Sequence, residues 1–123
     1  MDDPRSFLPL SAQQFQILLA LTDADRHGYG IILDIENRTG GAVRVGTGTL
    51  YTALAGLLDD DLVGEARRTA DRSDDDPRRK YYRLTPLGRN VLQAEAARLE
   101  ALVRDARRKG IRATARPALS RTK

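Results

Sequence analysis

Apolar residues recur along the chain in four runs of helical period, with one alternating stretch between the third run and the fourth. The first run opens at Leu10-Ser11-Ala12-Gln13-Gln14-Phe15. Ser11 stands as N-cap, Gln14 three residues on completes a capping box, and Leu10 with Phe15 forms a hydrophobic staple. Phe15, Leu18, Leu19 and Thr22 then keep 3.6-residue spacing, widened by Ile17 and Leu21, until Asp23-Ala24-Asp25-Arg26-His27 breaks the stripe. Gly28-Tyr29-Gly30 opens a second helix running to Arg38, with Ile31, Ile32 and Ile35 as its core face, and Gly40-Gly41 ends it. Residues 42–45 suffice for one strand-like stretch. Gly46-Thr47-Gly48-Thr49 supplies a turn, with Thr47 as capping residue, before a third helix carrying Leu50, Leu54, Leu57 and Leu58 on one face. That helix ends in Asp59-Asp60-Asp61, where Asp61 is a tolerable left-handed C-cap.

The alternating stretch follows. Leu62-Val63 begins a strand reaching about Thr69, residues 70–77 form a polar loop, and residues 78–84 return as the second strand of a hairpin. On the returning strand Tyr82 and Leu84 share a core face, which leaves Tyr81 outside with Arg79 and Arg83. Thr85-Pro86 then starts the longest helix, threonine as N-cap and proline at the first helical position. Leu92, Ala96, Leu99, Val103 and Ala106 are spaced 4, 3, 4, 3, the seam of a coiled coil held for about two heptads, while Leu87 and Val91 face inward. The pattern stops at Lys109-Gly110. Three helices, a hairpin and a long helix in that order make an α+β fold, mainly α: a winged helix-turn-helix with a long C-terminal dimerisation helix. The division expected is a flexible arm over residues 1–9, a winged helix-turn-helix over 10–84, the dimerisation helix over 85–109, and a basic disordered tail over 110–123.

Composition narrows the function. With 123 residues, 41% hydrophobic and 31% charged, the chain supports one modest core and no second catalytic domain. The absence of cysteine excludes disulfides, thiolate zinc sites and cysteine nucleophiles, and a single histidine, His27, excludes a multi-histidine metal site within the chain. His27 precedes a helix and reads as a turn residue. The aspartate triplets at 59–61 and 74–76 lack calcium-loop spacing, and Gly46-Thr47-Gly48 lacks the third glycine of a dinucleotide site. Neither catalysis, a cofactor nor a metal is expected. The N-terminus is acidic, and no apolar run approaches the roughly 18 residues of a membrane span, so a cytoplasmic protein away from membranes is expected. Charge is divided unevenly: residues 1–60 hold four arginines against eight carboxylates, residues 61–123 hold 17 basic residues against nine. A polyanion-facing C-terminal half follows, and of the 21 basic residues only Lys80, Lys109 and Lys123 are lysine. An arginine- and alanine-rich chain is also what a GC-rich genome encodes.

Several segments together resemble the PadR family of bacterial transcriptional regulators. They are Leu10-Ser11 before an apolar helix, His27-Gly28-Tyr29-Gly30, Gly48-Thr49-Leu50-Tyr51 with Leu54 and Leu57, Leu62-Val63, and Arg79-Lys80-Tyr81-Tyr82-Arg83-Leu84-Thr85-Pro86-Leu87-Gly88. The resemblance covers about residues 10–109. It implies a winged helix-turn-helix homodimer that represses transcription from operator DNA, with the C-terminal helix as dimer contact. It also leaves room for a small-molecule effector near the dimer interface, although a chain without tryptophan names no stacking platform for one.

In such a fold the third helix enters the major groove by its N-terminal turn. By position the contacts to double-stranded DNA are Thr47, Thr49, Tyr51 and Thr52, with Arg44 just upstream, and Tyr51 alternatively packs on the second helix. On the wing, Arg67 and Arg68 face Arg78, Arg79 and Lys80 as basic stems for flanking phosphates, unless they merely balance the aspartates of the wing tip. Dimerisation falls to Leu92, Ala96, Leu99, Val103 and Ala106, or the same seam packs onto the first helix. One departure from the family stands out: residues 51–61 contain neither lysine nor arginine. The alternative to a sequence-specific regulator is therefore a winged-helix protein-interaction module without specific DNA binding.

Overall fold

Ser11 caps the first helix as its position predicts: its hydroxyl accepts the Gln14 N–H while the Gln14 side chain takes the Ser11 N–H, and α1 runs over Ala12–Ala20. The computed structural model describes residues 3–67 and 78–114 of the chain. Arg68, the wing tip and residues 115–123 of the basic tail lie outside the described residues.

After α1 come strand β1 (Arg26–His27), α2 (Gly28–Arg38), α3 (Thr47–Asp59), β2 (Val63–Ala66), β3 (Tyr81–Leu84) and α4 (Pro86–Arg108). Helices α2, α3 and α4 stop by the same device. Gly40, Asp61 and Gly110 take left-handed φ values of 61°, 62° and 89°. The N–H of the next residue in each case reaches back to the carbonyl three places inside the helix: Gly41 to Glu36, Leu62 to Leu57, Ile111 to Ala106. Asp61 thus acts as the left-handed cap expected of it.

The sheet holds three antiparallel strands in the order β1-β3-β2. Sequence periodicity gave the hairpin and missed β1, because two residues inside a polar run carry no alternation to detect. This third strand corrects the reading of Tyr81. With β3 in the centre, Tyr81 pairs with His27 on one side and with Ala66 on the other, so Tyr81 is buried along with Tyr82 instead of facing out. Residues 42–45 form no strand and have no ladder partner, and Val45 alone among them is buried.

Ile17, Leu18, Ile31, Ile35, Leu50, Leu54, Leu57, Leu62 and Val91 are sealed in one core shared by all four helices. Residues expected as a flexible arm include a 3-10 helix, Pro4–Phe7, that packs on α4, with Phe7 and Leu8 partly buried against the core. The attachment continues at Leu10, whose N–H donates to the Glu95 carboxylate at 3.1 Å. Glu95 is buried on α4 and also receives Arg98 at 2.6 and 3.0 Å. Helix α4 begins on Thr85, which accepts the Gly88 N–H at 2.9 Å and donates to the Asp61 carbonyl at 2.7 Å, tying the end of α3 to the start of α4. No helix among the described residues is long and apolar enough to cross a membrane.

Candidate nucleic-acid interface

Helix α3 presents its first turn to solvent. Its N-cap is Gly46, which has no side chain to offer, so Thr47 is the first helical residue and not the capping residue the sequence suggested. Without a side-chain cap, the first-turn N–H groups are available to an anion, and the helix dipole favours one there. Arg44, Thr47, Thr49 and Thr52 are exposed around this turn. Gly48, Thr49 and Thr52 border an open groove of about 590 Å³ whose other wall is Ser11, Gln13 and Gln14 at the start of α1. Arg44 and Thr49 border a second hollow with Gln13 and Gln16. Gln13 and Gln16 escaped sequence reasoning, which had no signal for which polar positions of α1 would lie beside α3.

Tyr51 takes the packing role left open for it and stays accessible. A Cβ at Gly28 would lie 2.2 Å from the Tyr51 hydroxyl, so the ring rests directly on the start of α2, yet the residue remains 46% exposed. Gly28 is therefore the seat for Tyr51, and the two distant motifs meet there. Beside it lies a depression of about 350 Å³ lined by His27, Gly28, Tyr29, Tyr51, Tyr82 and the basic run Arg78, Arg79 and Lys80. Four of the expected contact residues thus meet in one place. Arg67 is exposed just beyond β2, on the other leg of the wing. Lys80 lies 3.8 Å from Glu65 across the hairpin, so part of the wing's charge is balanced within its stem. Burial pushes the Tyr82 hydroxyl above its ordinary pKa, with the nearby Tyr51 and Glu65 adding to the shift.

His27 does more than turn the chain. Its Nδ1 accepts the Gly30 N–H at 3.1 Å and caps α2, while Nε2 lies 3.2 Å from Arg79 Nη1. The ring stacks parallel to Tyr29 at 6.5 Å between centroids and meets Tyr81 edge-on at 5.2 Å. The sequence marks His27 only as a turn residue and Tyr29 only as part of a motif, since their place against the wing depends on β1. Among the described residues no cluster of His, Asp or Glu is placed to hold a metal ion.

The seam on α4 divides by depth. Leu92 belongs to the chain's own core beside Val91, so it has no surface to give a partner. Further along, Ala96, Leu99 and Val103 are exposed, the latter two at 37% and 41%, and Leu102 at 52% widens the apolar face; Ala106 is half-buried.

A sequence model of the Transcriptional regulator PadR-like family matches residues 17–94, from α1 into the first half of α4. An uncharacterized 37.1 kDa protein in transposon TN4556 of Streptomyces fradiae is 39% identical over 83 residues, or 68% of this chain, which spans only 21% of that protein's length. A PadR family transcription regulator from Clostridium difficile superposes with a TM-score of 0.68 at 23% identity, covering 80% of this chain and 97% of its own. Bacillus subtilis PadR, solved in complex with operator DNA, superposes with a TM-score of 0.57 at 20% identity, covering 68% of this chain and 47% of its own. At such identities these two likenesses are of fold, whereas the sequence match extends over more than half the chain. The chain belongs to the PadR-like family of transcriptional regulators.

Proposed function

We propose that the chain is a repressor that binds a double-stranded operator as a homodimer. The observation that carries this reading is an exposed α3 N-terminus without a side-chain cap, ringed by Arg44, Thr47, Thr49 and Thr52, on a helix whose Tyr51 lines one depression with the wing residues Arg78, Arg79 and Lys80. Helix α3 enters the major groove by that turn; its threonines meet base edges and thymine methyls, and the wing stems, with Arg67 on the second leg, lie along flanking phosphates. With no lysine or arginine from Tyr51 to Asp61, base reading rests on threonine, on Arg44 and on DNA shape.

The exposed apolar face of α4, Ala96, Leu99, Leu102 and Val103 with Ala106, takes the same helix of a second copy. Residues 10–84 then form the DNA-binding part and residues 85–109 the dimerisation part. A two-fold dimer reads two half-sites about one helical turn or more apart, hence a roughly palindromic operator. Bacillus subtilis PadR in its operator complex supports this use of the fold. The lack of lysine and arginine on α3 favours a second reading, a protein-interaction module. Footprinting on the DNA upstream of the chain's own gene separates the two: two protected half-sites related by a dyad support the repressor, and uniform absence of protection supports the module.

A further inference from the structure

We propose that Gln13, in the first turn of α1, reads a base edge: its carboxamide joins the recognition turn from a neighbouring helix and takes an adenine in the major groove. The inference rests on the DNA-binding reading and adds to it a specificity-determining residue from outside α3.

A carboxamide donates through its nitrogen and accepts through its oxygen, and so matches the N6 amino group and N7 of adenine as a bidentate pair. Threonine offers a hydroxyl and a methyl, and α3 contains no lysine, arginine, asparagine or glutamine to make such a fork. Three glutamines stand instead in the first half of α1, and two of them are committed within the fold. Gln14 Oε1 accepts the Ser11 N–H at 2.9 Å in the capping box. Gln16 Oε1 accepts Arg38 Nη1 at 2.8 Å, and the same guanidinium donates to the Gln16 carbonyl at 3.2 Å and to Asp34 at 2.8 Å. Gln13 is exposed and makes no hydrogen bond among the described residues, so both edges of its carboxamide are open to a ligand.

The surroundings of Gln13 point to a base. The groove of about 590 Å³ and the hollow beside Arg44 share two lining residues, Gln13 and Thr49, which therefore stand together at the common border of the two. No carboxylate lines either hollow, so a duplex meets no like charge there. The mounting is rigid. The capping box fixes the start of α1, Ile17 and Leu18 seal its inner face in the core, and the Arg38 guanidinium ties α1 to α2. Binding then orders the rotamers of one side chain and no backbone, which keeps the entropic cost of the contact small. A phosphate oxygen only accepts and would engage the amide nitrogen alone, whereas an adenine edge engages nitrogen and oxygen together.

The test is the affinity of the full chain, parent against Gln13→Ala, for its own upstream DNA and for an unrelated duplex of equal length. It is repeated with 7-deazaadenine, which lacks the N7 acceptor, placed in turn at each adenine of the footprinted half-sites. Gln13→Ala should weaken binding to the upstream DNA about tenfold and leave both the unrelated duplex and the salt slope unchanged. One 7-deazaadenine position in each half-site should weaken the parent and have no effect on the variant. The unfolding midpoint should stay at that of the parent, because the exposed side chain has no partner to lose. Equal losses on the two duplexes would make Gln13 a backbone contact, and no loss on either would make it a solvated surface residue; each overturns base reading and leaves DNA binding standing. A loss confined to the upstream DNA, with no 7-deazaadenine position that separates parent from variant, overturns the adenine contact. A parent that prefers neither duplex removes sequence-specific binding and base reading with it.

Discussion

Gly28 and Tyr51 show what a single missing methyl group does. The ring occupies the space a Cβ at Gly28 would take, whereas a Cβ at Gly30 meets its nearest neighbour at an ordinary 3.5 Å. Gly28→Ala should therefore cost about 1 kcal/mol as the half-exposed ring is forced outward, and Gly30→Ala should be neutral or slightly stabilising, as a helical glycine replaced by alanine usually is. Thermal unfolding of both variants in parent and Tyr51→Ala backgrounds checks this. The cost of Gly28→Ala should vanish without the ring; an equal cost in both backgrounds would place the strain elsewhere. Glu95 offers a second residue-level test. The Arg98 hydrogen bonds hold its carboxyl below the usual carboxylate pKa; burial opposes that shift and the Leu10 N–H adds to it. A carboxyl depressed in the folded state contributes stability that is complete above its unfolded pKa of about 4.3 and is lost as pH falls through the lower folded value. Urea midpoints of Glu95→Gln should accordingly fall less steeply than those of the parent as pH is lowered from 5 toward 3; parallel curves would mean that Glu95 does not titrate against folding. Glu95 was legible in principle, since it sits four residues after Val91 on the inward stripe of α4, but a carboxylate among apolar positions reads as a break in the pattern until its partners are seen.

At the scale of elements, the chain announces its helices more clearly than its strands. Ser11, Thr85 and the glycines after Arg38 mark helix ends by local chemistry, and the helices form there. Strand β1 has no such local cause. It exists because Arg26 and His27 find the free edge of β3, a pairing between residues more than fifty positions apart, and burial of Tyr81 follows from it. The same limit explains why the sequence marks Tyr51 and the wing cations as candidates but not His27 or Tyr29 as their neighbours: composition marks a basic run, but only the sheet sets the run against α2. Along α4 the 4-3 spacing was visible throughout, and burial alone assigns Leu92 to the core and Leu99 and Val103 to the surface. Replacing Leu99 and Val103 together with aspartate should leave the fold intact, because both side chains are exposed, and should yield monomers at micromolar concentration by sedimentation. A dimer that persists would move the interface off this face.

For the whole molecule, the central feature is a division of charge that becomes a division of labour. The N-terminal half is net acidic and supplies most of the core and the recognition turn, while the C-terminal half carries 17 of the 21 basic residues. Arginines on the wing, near an uncapped helix N-terminus, form a surface suited to a duplex, whose affinity should depend on salt with a slope of about one per phosphate neutralised. The lack of basic residues on α3 makes specificity the property most in need of measurement. The most direct measurement is the affinity of the purified full chain for its own upstream DNA and for an unrelated duplex of equal length, across a range of salt concentrations. A preference of at least about a thousandfold for the upstream DNA, with a steep salt dependence on both duplexes, is the expected result. Equal and weak binding to the two at every salt concentration would contradict sequence-specific regulation by this chain.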